Sequence, residues 1–331
     1  MKYFPAVPKG ASIMRELFLT FDTEDFISPN SIPTLHSILE SLRKNELDTI
    51  FFITGHMAEK LQDFAALIVL LNEHTIGYHS SSHSVHPTIF EFTDTANYEN
   101  AYRVSIQRET SHINPLTGAI EGKGGITALR HLFPRKEIVV FRAPGNCWSP
   151  PHLEALRDLG IRYDFSTSMS RMPVDYKGIT FYPYSILGHW EGKLIDYRVL
   201  SISIARRAVS VATIHPSLCA NRSEWDLIYL KSNPINLVPP IARSPQERAL
   251  LLRKLDMLFR RLKTLQETGI IKVTGIPRES KKTLTPSTVD VEKCYQRSMK
   301  WAKRHGYQPK FLRQHFLRFF EKDFPNCPTS V

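Results

Sequence analysis

Ile76-Gly77-Tyr78-His79-Ser80-Ser81-Ser82-His83 is the stretch on which the reading of this chain turns. The apolar run at 75–78 has the length of a buried strand, and it delivers two histidines four residues apart. On a helical turn, residues i and i+4 share a face, and two imidazoles placed so can grip one metal ion. Thirteen histidines in the chain make such a pair a weak signal by itself. Its weight comes from other polar groups that follow other apolar runs. Asp22-Thr23-Glu24-Asp25 closes the run 16–21, and Arg142 follows 137–141. Asp164 follows 161–163, and His215 follows 210–214.

Outward from the histidine pair, short apolar runs alternate with helical spacing. Residues 31–44 carry Ile32, Leu35, Ile38, Leu39 and Leu42 on one helical face, with Ser31 and Pro33 in the first turn. Residues 48–53 read as a strand that Gly55 breaks, and 58–72 as a second helix. Strand, helix, strand, helix, strand is the rhythm of a parallel α/β fold. Beyond it, 93–110 reads as a helix, 112–125 as a loop and 126–132 as a short helix. Residues 150–159 form a helix opened by proline and stopped at Gly160. A proline-rich loop covers 216–245, an amphipathic helix 246–266 and a last strand 269–273. Residues 276–290 read as a linker, followed by helices at 291–304 and 310–322. Asp22, His79, Arg142, Asp164 and His215 thus all lie just past strand C-termini, where parallel barrels and open parallel sheets build their active sites.

The chain has 331 residues with 42% hydrophobic and 23% charged content, which is that of a soluble globular protein. No window approaches the roughly 18 apolar residues of a membrane span, and residues 1–14 lack the apolar core of a signal peptide. A cytoplasmic protein is expected. Cys147, Cys219, Cys294 and Cys327 are scattered without paired spacing, which argues against a disulfide framework and a cysteine zinc site. The net charge of +11 is weighted to the C-terminus, where basic residues outnumber acids over 278–322. Such a surface is suited to peripheral contact with an anionic membrane or an acidic glycan, and no nucleic-acid partner is expected.

His79, His83 and one carboxylate from the 22–25 cluster would leave an open coordination position on a bound ion, as catalytic zinc sites do. A second carboxylate nearby would serve as general base, Arg142 would orient it, and His215 would protonate a leaving amine. These parts suit metal-assisted hydrolysis of an amide or ester.

The same residues carry a family resemblance. Thr20-Phe21-Asp22, His79-Ser80-Ser81-Ser82-His83, Arg142-Ala143-Pro144-Gly145, Tyr163-Asp164-Phe165-Ser166 and Thr213-Ile214-His215 stand in the order of the five motifs of the polysaccharide deacetylase family (the NodB-homology domain, carbohydrate esterase family 4). Phe51-Phe52-Ile53-Thr54-Gly55 is similar to the family's second-strand motif. The resemblance spans about residues 16–275. It implies a deformed (β/α) barrel in a catalytic domain at 1–275, with 276–331 as a basic helical C-terminal extension. It also implies a divalent metal, usually zinc, and removal of acetyl groups from sugars. By position, Asp22 would be the base, His79 and His83 metal ligands, Arg142 the group that positions Asp22, and His215 the general acid tuned by Asp164.

The sequence departs from the family pattern in three places. Thr23 stands where the family usually has a second Asp, so the third ligand moves to Glu24 or Asp25. Strand alternation puts Glu24 on the face of Asp22, whereas a sharp turn after Asp22 would favour Asp25. The motif at Arg142 lacks its usual aromatic, and the fourth motif lacks its Trp-Arg ending. Trp148 and Trp190 are then candidates for a sugar-stacking surface. The expected activity is N-deacetylation of an N-acetylated sugar or glycolipid in intracellular biosynthesis. Two alternatives stay open: an amidohydrolase acting on a small non-sugar amide, and a catalytically inactive glycan-binding module.

Overall fold

In residues 15–23, Leu17, Leu19 and Phe21 alternate with Phe18, Thr20 and Asp22, and every side chain from Leu17 onward is buried. A strand apolar on both faces must be covered on both faces, as in a parallel sheet inside an α/β fold. The computed structural model describes residues 14–83, 97–146, 148–167, 172–183, 186–187, 189–190, 193–194, 204, 206–223, 240–282 and 296.

The first half runs β1 (Arg15–Thr23), α1 (Ser31–Lys44), β2 (Ile50–Ile53), α2 (Gly55–Leu61), α3 (Ala65–Leu71) and β3 (Thr75–Tyr78). After residues 84–96 come α4 (Tyr98–Glu109), the hairpin β4 (Ser111–Ile113) and β5 (Ile120–Lys123), α5 (Ile126–Leu132) and β6 (Val140–Phe141). Then follow α6 (Pro150–Asp158), β7 (Tyr163–Thr167), β8 (Val174–Tyr176), β9 (Ile179–Pro183), β10 (Ile186–Leu187), β11 (His189–Trp190) and β12 (Lys193–Leu194). The described chain closes with β13 (Val209–Ile214), α7 (Pro216–Ala220), α8 (Pro245–Glu267) and β14 (Ile271–Val273).

The main sheet has the order β10-β13-β1-β2-β3-β6-β7-β9-β8, with β14 also on β1. Its pairings are parallel except β8 on β9. The sheet is curled into a partial barrel. Four strand spacings separate β1 from β7, about 19 Å on a flat sheet. The rings of Phe18 on β1 and Phe165 on β7 nevertheless lie 5.4 Å apart, and Phe18 meets Tyr182 of β9 at 4.8 Å. The concave face is therefore floored by Phe18, Phe52, Phe165 and Tyr182.

The convex face takes Leu17, Leu19 and Phe21, covered by α1 and α8 through Leu35, Ile38, Leu39, Leu255, Phe259 and Leu262. Each such side chain contributes about 1.5–3 kcal/mol on burial. The helix α8 starts as its sequence directs: Ser244 and Glu247 form a reciprocal capping box and Pro245 occupies the first turn.

Several boundaries differ from the sequence reading. Gly55 does not break structure but opens α2, with Thr54 capping Met57 N at 3.2 Å. The single helix expected at 58–72 is two, because the chain turns at 62–64. The loop expected at 112–125 holds the β4–β5 hairpin, and His215 leads directly into α7. The fourth motif's strand begins at Tyr163 rather than ending there, so Asp164 lies within β7. Residues 278–282 are not a free linker. Asp175 N donates to Lys282 O at 2.7 Å, Arg278 N donates to Tyr182 Oη at 2.7 Å, and Ser280 Oγ donates to Pro173 O at 2.8 Å. The helices expected at 291–304 and 310–322 lie outside the described residues, residue 296 apart.

Candidate active site

The site sits on the concave face, at the C-terminal ends of the parallel strands. Arg142, just past β6, is the deepest member and is fully buried. Its guanidinium lies 4.4 Å over the Phe52 ring, a favourable place for a desolvated cation. Arg142 Nη1 donates to Thr20 Oγ1 at 2.9 Å and to Asp22 Oδ1 at 2.6 Å, and Nε donates to Phe165 O at 3.3 Å. One oxygen of Asp22 is thus fixed by charge. The other, Oδ2, is 3.5 Å from His215 Nε2. His215 is the outermost of the group, its side chain one-quarter exposed.

Extended backbone persists to Thr23, since Asp22 pairs with Phe52 and Thr23 with Ile53. Glu24 consequently continues the face of Asp22. Its Oε2 lies 3.0 Å from His83 Nε2 and 3.4 Å from His79 Nε2. The Asp25 carboxylate is engaged elsewhere: Oδ1 accepts from Ser28 N at 2.9 Å and Oδ2 from Asn221 Nδ2 at 2.8 Å. Burial pushes the Asp25 carboxyl up to about 6, against those two hydrogen bonds.

The two histidines do not share a helical turn. They belong to a loop in which Ser80 and His83 have φ of 63° and 48°. Neighbouring groups hold this left-handed path. Gly55 N donates to Ser80 O at 3.0 Å, His56 N to Ser81 O at 3.2 Å, and His83 N to Ser80 Oγ at 3.1 Å. His79 Nδ1 bonds to Arg142 O at 2.7 Å. A carbonyl partner makes Nδ1 the protonated nitrogen and turns the Nε2 lone pair toward Glu24.

The donor set fits a divalent cation. Glu24, His79 and His83 each offer one donor atom within 4.8 Å of the others, all buried. Glu24 Oε2 has no hydrogen-bond partner among the described residues. Burial alone would raise the Glu24 carboxyl, but His83 and His79 hold it well below its usual range. A buried carboxylate facing two imidazole nitrogens is a ligand arrangement.

Residues 9–163 match the family model described as polysaccharide deacetylase. The match spans a little under half of the chain. The matched family comprises hydrolases acting on carbon–nitrogen bonds other than peptide bonds. No curated protein sequence matches it. Among solved structures, it is similar to a Mycobacterium smegmatis protein assigned as a polysaccharide deacetylase, with 13% identity, TM-score 0.47, and 83% of this chain and 97% of that one covered. The catalytic domain of a Eubacterium rectale peptidoglycan N-acetylglucosamine deacetylase matches at 13% identity and TM-score 0.41, over 84% and 94% of the two chains. A Bordetella bronchiseptica protein assigned to O-antigen biosynthesis matches at 16% identity and TM-score 0.37, over 72% and 90%.

Asp164 is buried within β7. Its Oδ1 accepts from Ser166 N at 2.6 Å, and its charge is felt through Arg142. Burial pushes the Asp164 carboxyl up to about 7. Trp148 is not a sugar-stacking surface. It is buried in the core against Tyr176 and Phe181, at 5.9 and 5.3 Å between centroids. The side chain of Trp190 lies outside the described residues.

The sequence reading missed Glu109. This fully buried carboxylate closes α4 behind the histidine loop. Its Oε2 accepts from Tyr78 Oη at 2.5 Å and Ser81 N at 3.2 Å, and its Oε1 lies 2.9 Å from His152 Nε2. A glutamate in the last turn of a polar helix gives no sequence signal of burial.

Proposed function

We propose that this chain is a metal-dependent N-deacetylase. It hydrolyses the N-acetyl group of an N-acetylated sugar in glycan or glycolipid biosynthesis, in the cytoplasm or at its membrane surface. The observation that carries the reading is the single concave cluster of Asp22, Arg142, His215, Glu24, His79 and His83. Glu24, His79 and His83 would hold a divalent ion of the zinc type, with Asp25 kept to its bonds with Ser28 and Asn221. The chemistry such an ion supplies when bound is polarisation of the acetyl carbonyl and acidification of water.

The remaining work falls to the protein. Asp22 Oδ1 is held by Arg142, so Oδ2 is the atom that accepts the proton of the attacking water. His215 Nε2, on the open side of Asp22, delivers a proton to the departing amine nitrogen as the carbon–nitrogen bond breaks. Water is consumed, and acetate and a free amino sugar are released.

The test is acetate release from a panel of N-acetylhexosamine compounds, free and lipid-linked, with and without chelator. Chelator-sensitive release from at least one compound is expected, restored by zinc, cobalt or nickel. Full activity in metal-stripped protein would overturn the metal role, and inertness on every N-acetyl sugar would overturn the substrate class.

A further inference from the structure

A second set of metal-type ligands lies outside the cluster around Asp22. His56 and Glu59 stand three residues apart on α2, so their side chains leave one face of that helix. His112 reaches them from β4. One donor atom from each lies within 4.8 Å of the others. His112 Nδ1 is 2.9 Å from both carboxylate oxygens of Glu59, and the rings of His56 and His112 lie 5.5 Å apart.

The tautomer of His56 gives the independent evidence. Its Nε2 bonds to Ile113 O at 2.7 Å, which makes Nε2 the protonated nitrogen. Nδ1 then carries a lone pair, and it is buried with no hydrogen-bond partner. The side chain is only 4% exposed. A buried imidazole nitrogen without a partner costs stability unless something fills its place. A metal-ligating histidine typically donates its other nitrogen to a backbone carbonyl, as His56 does. Burial also pushes the His56 imidazole down to about 4, so it is neutral, the form that binds metal. Glu59 and His112 are each about 29% exposed, which leaves a solvent side for entry and for water.

We infer that His56, Glu59 and His112 form a second divalent-cation site, of the zinc class, that pins α2 to the β4–β5 hairpin. Two imidazoles and one carboxylate are a borderline donor set suited to zinc or cobalt rather than to calcium or magnesium. Its role is structural. The same backbone segments grip the catalytic loop, since His56 N donates to Ser81 O and Ser81 Oγ donates to Ser111 O at 2.7 Å. An ion here braces that loop from behind without touching substrate.

The experiment is cobalt titration of metal-stripped protein, followed by visible absorption and thermal unfolding. In a Glu24→Gln/His83→Asn background, one equivalent is expected to remain, with a ligand-field spectrum of nitrogen–oxygen coordination and a raised Tm. Adding Glu59→Gln and His112→Asn should weaken that equivalent at least 100-fold and abolish the Tm rise. Should the Glu24 background unfold, Glu59→Gln/His112→Asn alone in the otherwise native chain gives the same answer by losing one of two equivalents. These two positions are partly exposed, so that variant tests ligand loss rather than core damage. No equivalent left in a folded Glu24→Gln/His83→Asn background, or one that survives loss of Glu59 and His112, overturns the inference and leaves an ordinary His112–Glu59 ion pair. One equivalent in total, lost with Glu59 and His112 but not with Glu24, would keep this site and remove the one proposed for catalysis.

Discussion

The carboxylates at 22–25 show how one residue step decides a role. Glu24 faces His79 and His83, while Asp25 is spent on Ser28 and Asn221. Glu24→Gln should therefore weaken zinc binding by more than about 100-fold, beyond the roughly 10–100-fold typical of partners outside the ligand shell. Asp25→Asn should change it by less than about tenfold. Zinc titration of the two purified variants ranks them, and the reverse order would move the ligand to Asp25. Asp22→Asn should leave zinc bound but lower kcat by about 10²–10⁴, the usual contribution of a general base; near-normal turnover would remove that role. The position of Glu24 relative to Asp22 was legible, because strand alternation extends through Thr23. The loop of the two histidines was not. Its left-handed residues are Ser80 and His83, and the groups that hold them come from Gly55, His56 and Glu109, distant in sequence.

At the scale of elements, the buried acids set the pH behaviour. Asp164 within β7 is raised to about 7 by burial, from an ordinary 3.8. Between about pH 4 and 7 the folded protein keeps a proton that the unfolded chain has released. The unfolded state then binds fewer protons, so stability falls as pH rises through this window. Asp164→Asn cannot ionise and should escape the loss. Urea denaturation of both proteins at pH 4.5 and 8 should show wild type losing a few kcal/mol relative to the variant. A constant difference between the two would show that Asp164 is ionised in the fold. The end of α4 offers a second case. Glu109→Ala removes the hydrogen-bonding partner shared by Tyr78, Ser81 and His152 and should cost several kcal/mol, at about 1–3 kcal/mol for each buried polar group it leaves unsatisfied. The succession of strands and helices and the helix faces were readable from periodicity here, but the split of α2 from α3 was not. The apolar face continues through 57–71, and only the backbone turn at 62–64 divides it.

On the scale of the whole molecule, the question is where the folded unit ends. The sequence places a linker at 276, because proline and lysine density rises there. The backbone instead runs on against β8 and β9 to Lys282, using polar groups that no periodicity reveals. Truncation after 282 should then leave Tm within about 2 °C of full length, if 283–331 are a separate extension. Truncation after 275 removes the bonds from Arg278, Ser280 and Lys282 at about 1 kcal/mol each, and should lower Tm by several degrees. The same two proteins test the basic extension. Lys and Arg exceed acids over 278–322, and each basic residue near an anionic surface is worth about 1 kcal/mol at low salt. Full-length protein should co-sediment with anionic vesicles at low salt and release at high salt. The 282 truncation should stay in the supernatant while keeping the proposed deacetylase activity on a soluble substrate. Among the described residues no helix is long and apolar enough to cross a membrane. Equal sedimentation of both proteins would move the anionic contact onto the catalytic domain, and equal Tm of the 275 and 282 truncations would return the boundary to 275.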